Sequence, residues 1–169
     1  MIVSKLNPFL LFLRSVRFCS AKSVRGGFLK NIDLKCREGF SAEVNFNKPT
    51  LLYFSAGWCR SCRLFTPKLK KFYDNVDGRM NVVWISRDKS AEDQLEYYEK
   101  SLGAWPYVPY GKPQIAEFLK RFDVQTIPAI ILINKDGEVV SNVVRKEIEE
   151  ATTQDKAQNV LDGWMSSKE

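Results

Sequence analysis

Cys59 and Cys62 are the residues of this chain whose type and spacing suit covalent chemistry. Two thiols separated by two residues can close a small disulfide ring. They lie where an apolar strand pattern over Leu51 to Phe54 gives way to a helical one. At a helix start the first thiol is exposed and the second sits one turn deeper. The unpaired amides of the first turn carry partial positive charge, which lowers the pKa of the first thiol and raises its thiolate fraction near neutral pH. Half of a zinc site and a pair of inert thiols are the competing readings. Structural zinc takes about four ligands, and the chain has no histidine and only the distant Cys19 and Cys36 besides this pair. The lack of histidine also removes every Cys-His or Ser-His-Asp arrangement, so catalysis must run on thiols or carboxylates. Inert thiols fit poorly at an exposed helix start after Trp58. Redox chemistry without a metal is the expectation, and Cys19 and Cys36 are taken as incidental.

The flanking residues narrow it further. Phe54, Ser55, Ala56, Gly57, Trp58 and Cys59 to Cys62, with Arg63, Phe65, Thr66 and Pro67 following, resemble the active-site segment of the tryparedoxin and nucleoredoxin branch of the thioredoxin superfamily. Its usual form is Phe-Ser-Ala-x-Trp-Cys-Pro-Pro-Cys-Arg-x-Phe-Thr-Pro. The resemblance covers roughly residues 26 to 165. It implies a thioredoxin fold of the α/β class, with a central mixed β-sheet flanked by helices. It also implies that Cys59 is the nucleophile and Cys62 the resolving thiol, with Trp58 packed beside them as part of the docking surface. Ile127 and Pro128 complete the constellation. By resemblance their peptide bond is cis, Pro128 lies against the disulfide, and the Ile127 backbone pairs with an incoming peptide as an added strand. An ordinary trans proline at a strand start is the alternative, which the joint occurrence with Trp-Cys-x-x-Cys disfavours.

Three positions depart from relatives and are expected to tune the couple. Arg60 and Ser61 replace the two prolines between the cysteines. A cation beside Cys59 favours its thiolate, and a looser turn favours the open dithiol, so both point to a more oxidising couple than that of thioredoxin. Thioredoxins carry a buried Asp in the strand before the motif, and Tyr53 stands at the matching position here. The acceptor of the Cys62 proton is thus left open between water and a carboxylate elsewhere in the fold.

The elements that must position these residues follow from periodicity. The chain has 169 residues and a formal net charge of +6, enough for a single core and one domain. Lys5, Arg14, Arg17, Lys22 and Arg25 precede the first acid, leaving 21 basic against 20 acidic residues in the rest. The basicity therefore belongs to a leader over residues 1–25 rather than to a nucleic-acid patch. Its apolar run, residues 8 to 13, is too short to span a membrane. Acid-free and basic, with Arg17 placed as at a matrix-processing site, it reads as a mitochondrial transit peptide, with cytoplasmic or secreted location as alternatives. The domain, residues 26–169, is expected to open with a hairpin turning near Arg37 to Gly39. A buried strand over Thr50 to Phe54 follows, then a helix from Cys59 with a stripe of Cys62, Phe65, Leu69, Phe72 and Val76 and a kink at Pro67. A second buried strand covers Asn81 to Ser86, parallel to the first. Ser90 caps a helix whose inward face is Ala91, Leu95, Tyr98 and Leu102. Residues 103–113 read as a loop, Gln114 to Phe122 as a short helix, and Ala129 to Asn134 with Glu138 to Val144 as a hairpin about Asp136 and Gly137. Residues 145–153 read as a charged surface connection. A last helix, Gln154 to Met165, turns Ala157, Val160, Leu161, Trp164 and Met165 inward, with Thr153 as its cap.

The resemblance implies a monomeric protein-disulfide reductase without an organic cofactor. It would act on protein or small-molecule disulfides and be recharged by a thiol donor or a thioredoxin-reductase-type electron donor. Neither nucleic acid nor stable membrane insertion is expected. The reading from another class is a non-catalytic binding module whose thiols sense redox state. A peroxidase fits less well, because no separate peroxidatic cysteine is evident.

Overall fold

The computed structural model describes residues 28–166. The leader, Cys19 and the mitochondrial expectation lie outside these residues. The expected early hairpin is present: β1 (Leu34–Lys35) pairs antiparallel with β2 (Ser41–Ala42) across a short 3-10 turn over Arg37–Gly39. β3 (Thr50–Ser55) is buried along its whole length, as a run of apolar residues between two helical layers must be. After it come α1 (Arg60–Asn75), β4 (Asn81–Ser86) and α2 (Ala91–Ser101). β5 (Tyr107–Val108), α3 (Pro113–Arg121), β6 (Ala129–Ile133) and β7 (Val139–Ser141) follow. α4 (Val144–Glu150) and α5 (Gln154–Ser166) close the described chain. The strands form one mixed sheet in the order β2-β1-β5-β4-β3-β6-β7. β3 pairs parallel with β4 and antiparallel with β6.

Alternation along β3 feeds two cores. Leu51 and Tyr53 face Phe65, Leu69 and Phe72 of α1 together with Trp84, Tyr97, Ile148 and Leu161. Leu52 and Phe54 face Phe118 of α3 with Val83, Ile85 and Ile131. The α1 stripe is the expected one, and each fully buried Phe or Leu contributes on the order of 1.5–3 kcal/mol. Pro67 lies inside the continuous helix, where it removes the amide that would otherwise reach the Arg63 carbonyl.

Five expectations need correction. Residues 103–113 are not all loop, because Tyr107 and Val108 pair parallel with Trp84 and Ile85, and Tyr107 pairs with Lys35 of β1. Pro106 and Pro109 flank so short a strand that no alternation is visible in it. The α2 face is rotated: Gln94, Tyr97 and Tyr98 are buried while Leu95 is 45% exposed. Gln94 turns inward because its amide donates to the Val108 carbonyl (3.0 Å) and accepts from the Tyr110 amide (2.7 Å), fixing the segment after β5. Residues 145–150 are helical, with Val144 and Ile148 buried one turn apart beneath a charged outer face. The second hairpin arm is correspondingly shorter than expected, and Met165 of α5 is exposed.

One polar cluster lies inside the first core. The Thr66 hydroxyl donates to the Cys62 carbonyl (2.9 Å) and lies 2.8 Å from the hydroxyls of both Tyr53 and Tyr97. A carbonyl only accepts and Thr66 has one hydroxyl proton, so both tyrosines must donate to Thr66. β3, α1 and α2 are joined in this way directly behind Cys62. Thr66→Val keeps the shape but leaves two buried phenols without their acceptor. It should cost roughly 2–4 kcal/mol, against about 1 kcal/mol for Tyr53→Phe, which removes only one donor. Urea denaturation of the two oxidised variants measures the difference, and equal losses would contradict the assignment of Thr66 as the shared acceptor.

Candidate active site

The strand-to-helix turn presents the thiols in unequal positions. Cys59 caps α1 in an extended conformation, and its Sγ accepts from the Cys62 amide at 3.2 Å. Its own amide donates back to the Ala56 carbonyl (3.1 Å), closing the turn, while its carbonyl accepts from the Arg63 amide (3.1 Å). Cys59 and Cys62 form a disulfide with Cα atoms 5.2 Å apart. Cys59 retains 6% exposure and Cys62 none, so an incoming sulfur meets Cys59 first.

The turn itself is clamped from both sides at Gly57. Its amide donates to Asp88 Oδ1 (2.8 Å), and its carbonyl accepts from the Arg63 guanidinium (2.6 Å). Asp88 is held by Ser86, whose hydroxyl donates to Oδ2 (2.7 Å) and accepts from the Asp88 amide (2.8 Å). A Cβ at position 57 would come within 3.0 Å of the Tyr97 Cβ, so glycine lets this turn press against α2. Trp58 is 54% exposed, and its indole nitrogen donates to the Arg87 carbonyl (3.0 Å). Its face is thereby fixed beside the cysteines yet open to solvent. Asp88 and Tyr97 were not singled out by the sequence. Asp88 reads there as one more acid after a strand, and its inward orientation is set only by its partners in the fold.

The second wall arrives as expected. The Ile127-Pro128 peptide bond is cis, Pro128 is buried, and the Ile127 carbonyl lies 3.7 Å from Cys59 Sγ. Ile127 packs against Ala56, Cys59 and Cys62. Antiparallel register sets this meeting: Phe54 pairs with Ala129, so the residues just before β6 lie opposite those just after β3.

Of the expected tuning residues, Ser61 is in reach, its hydroxyl 3.5 Å from Cys59 Sγ. Arg60 is exposed in the first turn of α1. Tyr53 is fully buried at the Thr66 cluster, where desolvation pushes its phenol well above the ordinary tyrosine range; burial also raises Tyr97. Both phenols therefore stay neutral at physiological pH, and neither is a base for Cys62. Among the described residues no group of three or more His, Cys, Asp or Glu is arranged to hold a metal, and no helix is long and apolar enough to cross a membrane.

The chain is similar in sequence and fold to known proteins. A thioredoxin-like family model matches residues 47–139. Tryparedoxin of Trypanosoma brucei brucei is 38% identical over 105 residues, which are 60% of this chain and 72% of that protein. Probable nucleoredoxin 1 of Arabidopsis thaliana is 37% identical over 101 residues, 58% of this chain but 17% of that much longer protein. The crystal structure of a thioredoxin from Wuchereria bancrofti superposes with a TM-score of 0.70 at 35% identity, covering 84% of this chain and 99% of that one. With the dithiol at a capped helix start and the carbonyl of the cis Ile127-Pro128 peptide beside it, this chain belongs to the thioredoxin-like family, of the tryparedoxin and nucleoredoxin type, and its Cys59-Cys62 pair is the redox centre of a thiol-disulfide oxidoreductase.

Proposed function

We propose that the protein works as a reductase of protein disulfides, with Cys59 attacking and Cys62 resolving. The observation that carries this reading is the position of Cys59 Sγ. It is the outer sulfur, at a helix N-terminus, with the Ile127 carbonyl 3.7 Å away to dock a substrate backbone. Cys59 thiolate attacks one sulfur of the substrate disulfide, forming a mixed disulfide and releasing the first substrate thiolate. Cys62, losing its proton, then attacks Cys59 Sγ and releases the second. Two electrons pass to the substrate and the protein is left as the Cys59-Cys62 disulfide. A thiol donor or a thioredoxin-reductase-type donor returns it to the dithiol.

With dithiothreitol as donor, the wild type should reduce insulin, and Cys59→Ser should abolish turnover. Cys62→Ser should stall as a mixed disulfide on Cys59, visible by mass spectrometry. A wild type without turnover would favour the non-catalytic binding module instead.

Arg60 and Ser61 set the couple apart within this reading. The exposed guanidinium in the first helical turn favours the thiolate, and Ser61 offers Cys59 Sγ a hydrogen bond (3.5 Å). Stabilising the reduced form raises the potential above thioredoxin's roughly −270 mV. Restoring the two prolines, with Arg60→Pro and Ser61→Pro together, should lower it. Equilibration with glutathione measures both, and a wild-type value at or below that of thioredoxin sinks the idea.

Delivery to mitochondria by residues 1–25 belongs to the same proposal, supported by five basic residues and no acid in that stretch. Isolated mitochondria should import the full chain and fail to import one lacking residues 1–25; equal uptake would refute it.

A further inference from the structure

The cations of this domain are unevenly neutralised. On the α4 side, Lys68 and Arg145 pair with Glu149 (3.2 and 3.7 Å), and Lys146 pairs with Glu150 (3.8 Å). On the other flank of α1, facing α2, Arg63, Lys70 and Lys71 make no ion pair among the described residues. They line a cleft of about 530 Å³ together with Lys100, and Asp74 is its one acid. Lys100 is paired with Glu96 (2.5 Å). The side-chain nitrogen of Asn75, in the same cleft, is buried without a hydrogen-bond partner, one more donor without an acceptor.

This cleft runs into the active site. A second cleft of about 360 Å³ shares Lys100 and Ser101 with it and ends on Gly57 and Trp58. The charge of the second is mixed, since Asp88, Asp93 and Glu96 oppose Lys89 and Lys100. A chain leaving Cys59 past Trp58 therefore crosses a stretch with no preference for acids before reaching Lys70 and Lys71, which have one. At 1.5 Å per helical residue, Lys71 lies about 18 Å along α1 from Cys59. An extended peptide covers that in about five residues.

We propose that the groove between α1 and α2 is a docking site for an acidic segment of the substrate protein, uncharged beside the reacting cysteine and rich in Asp or Glu about five residues from it. This rests on the reading of the dithiol as a disulfide reductase and adds the substrate class. A polypeptide is the fitting occupant because the two clefts form an open, elongated track with Lys70 and Lys71 together at its far end. Complementary charge at such a rim accelerates encounter and selects partners more than it deepens affinity, and it is weakened by salt.

The test uses two twelve-residue peptides, each with one cysteine disulfide-bonded to thionitrobenzoate. One carries three Asp beginning five residues from the cysteine, the other three Asn. Pre-reduced full-length protein in excess releases thionitrobenzoate as its Cys59 attacks; Cys62 then frees the peptide thiol, leaving the protein disulfide. The Asp peptide should react on the order of three- to tenfold faster than the Asn peptide at low salt. The ratio should approach one in 0.5 M salt and fall to one or below in K70E/K71E. Fluorescence anisotropy of labelled Cys→Ser versions of both peptides reads docking without chemistry and should show the same preference and the same loss. Equal behaviour of the peptides in both assays, or a preference that survives high salt or K70E/K71E, overturns the docking site. Preferential binding without thionitrobenzoate release would leave the docking site standing and overturn the reductase reading.

Discussion

The register of β3 between its two neighbours is the constraint on which everything else at this site depends. Because β4 runs parallel to β3, its C-terminal end arrives beside the end of β3, with Ser55 opposite Ser86. Because β6 runs antiparallel, its N-terminal end arrives there too, with Phe54 opposite Ala129. Three segments far apart in sequence thus converge on one edge of the sheet: the turn carrying Trp58 and Cys59, the Arg87-Asp88 pair that ties that turn down, and Ile127-Pro128. A slip of one residue would turn Tyr53 and Leu52 to the wrong cores and carry Pro128 away from the thiols. Both cores are filled by large side chains on the two faces of β3, so the same burial that stabilises the sheet also specifies the site.

Beneath the site, polar groups are organised without a charge of their own. At the position where the likeness to thioredoxins leads to the expectation of a carboxylate, this chain has a phenol in a cluster of hydroxyls. Ser55 extends that cluster by accepting the Trp84 indole nitrogen (2.8 Å). Neutral, mutually satisfied hydroxyls avoid the large desolvation cost of an ionised group in an aromatic core. Asp88, 9% exposed, sits where both carboxylate oxygens are satisfied, by the Gly57 amide and the Ser86 hydroxyl. It serves as an anchor for the turn.

Much of this was legible in the sequence because it rests on local chemistry. Cys-x-x-Cys at a strand-helix junction, the apolar stripe of α1, the buried runs of β3 and β4, and Asp136-Gly137 as a hairpin turn, with Gly137 at φ 78°, all announce themselves by spacing or residue type. What was missed depends on tertiary partners. β5 has only two residues between prolines, and its strand character exists only because β4 and β1 lie on either side. Gln94 reads as a surface residue until the backbone it satisfies is in place. α4 hides because two buried positions among five charged ones make a weak stripe. Arg63 was visible within the motif, but its bond to the Gly57 carbonyl requires the turn to be folded back over the helix.

That the phenols behind Cys62, Tyr53 and Tyr97, stay neutral is less of a handicap than it first looks. Disulfide reduction by a dithiol is proton-neutral overall: two protein thiols give up protons and two substrate thiolates take them. The first substrate thiolate leaves when Cys59 attacks, just when Cys62 must lose its proton. The leaving thiolate is thus itself a base on hand for the Cys62 proton. What the protein must supply is asymmetry between its own sulfurs. The Cys62 amide hydrogen bond to Cys59 Sγ (3.2 Å) and the helix dipole both favour the thiolate at Cys59. Cys62, fully buried behind it, has no such donor among the described residues. In the proposed mechanism that difference makes Cys59 the nucleophile and keeps Cys62 a thiol until the mixed disulfide places a sulfur within its reach.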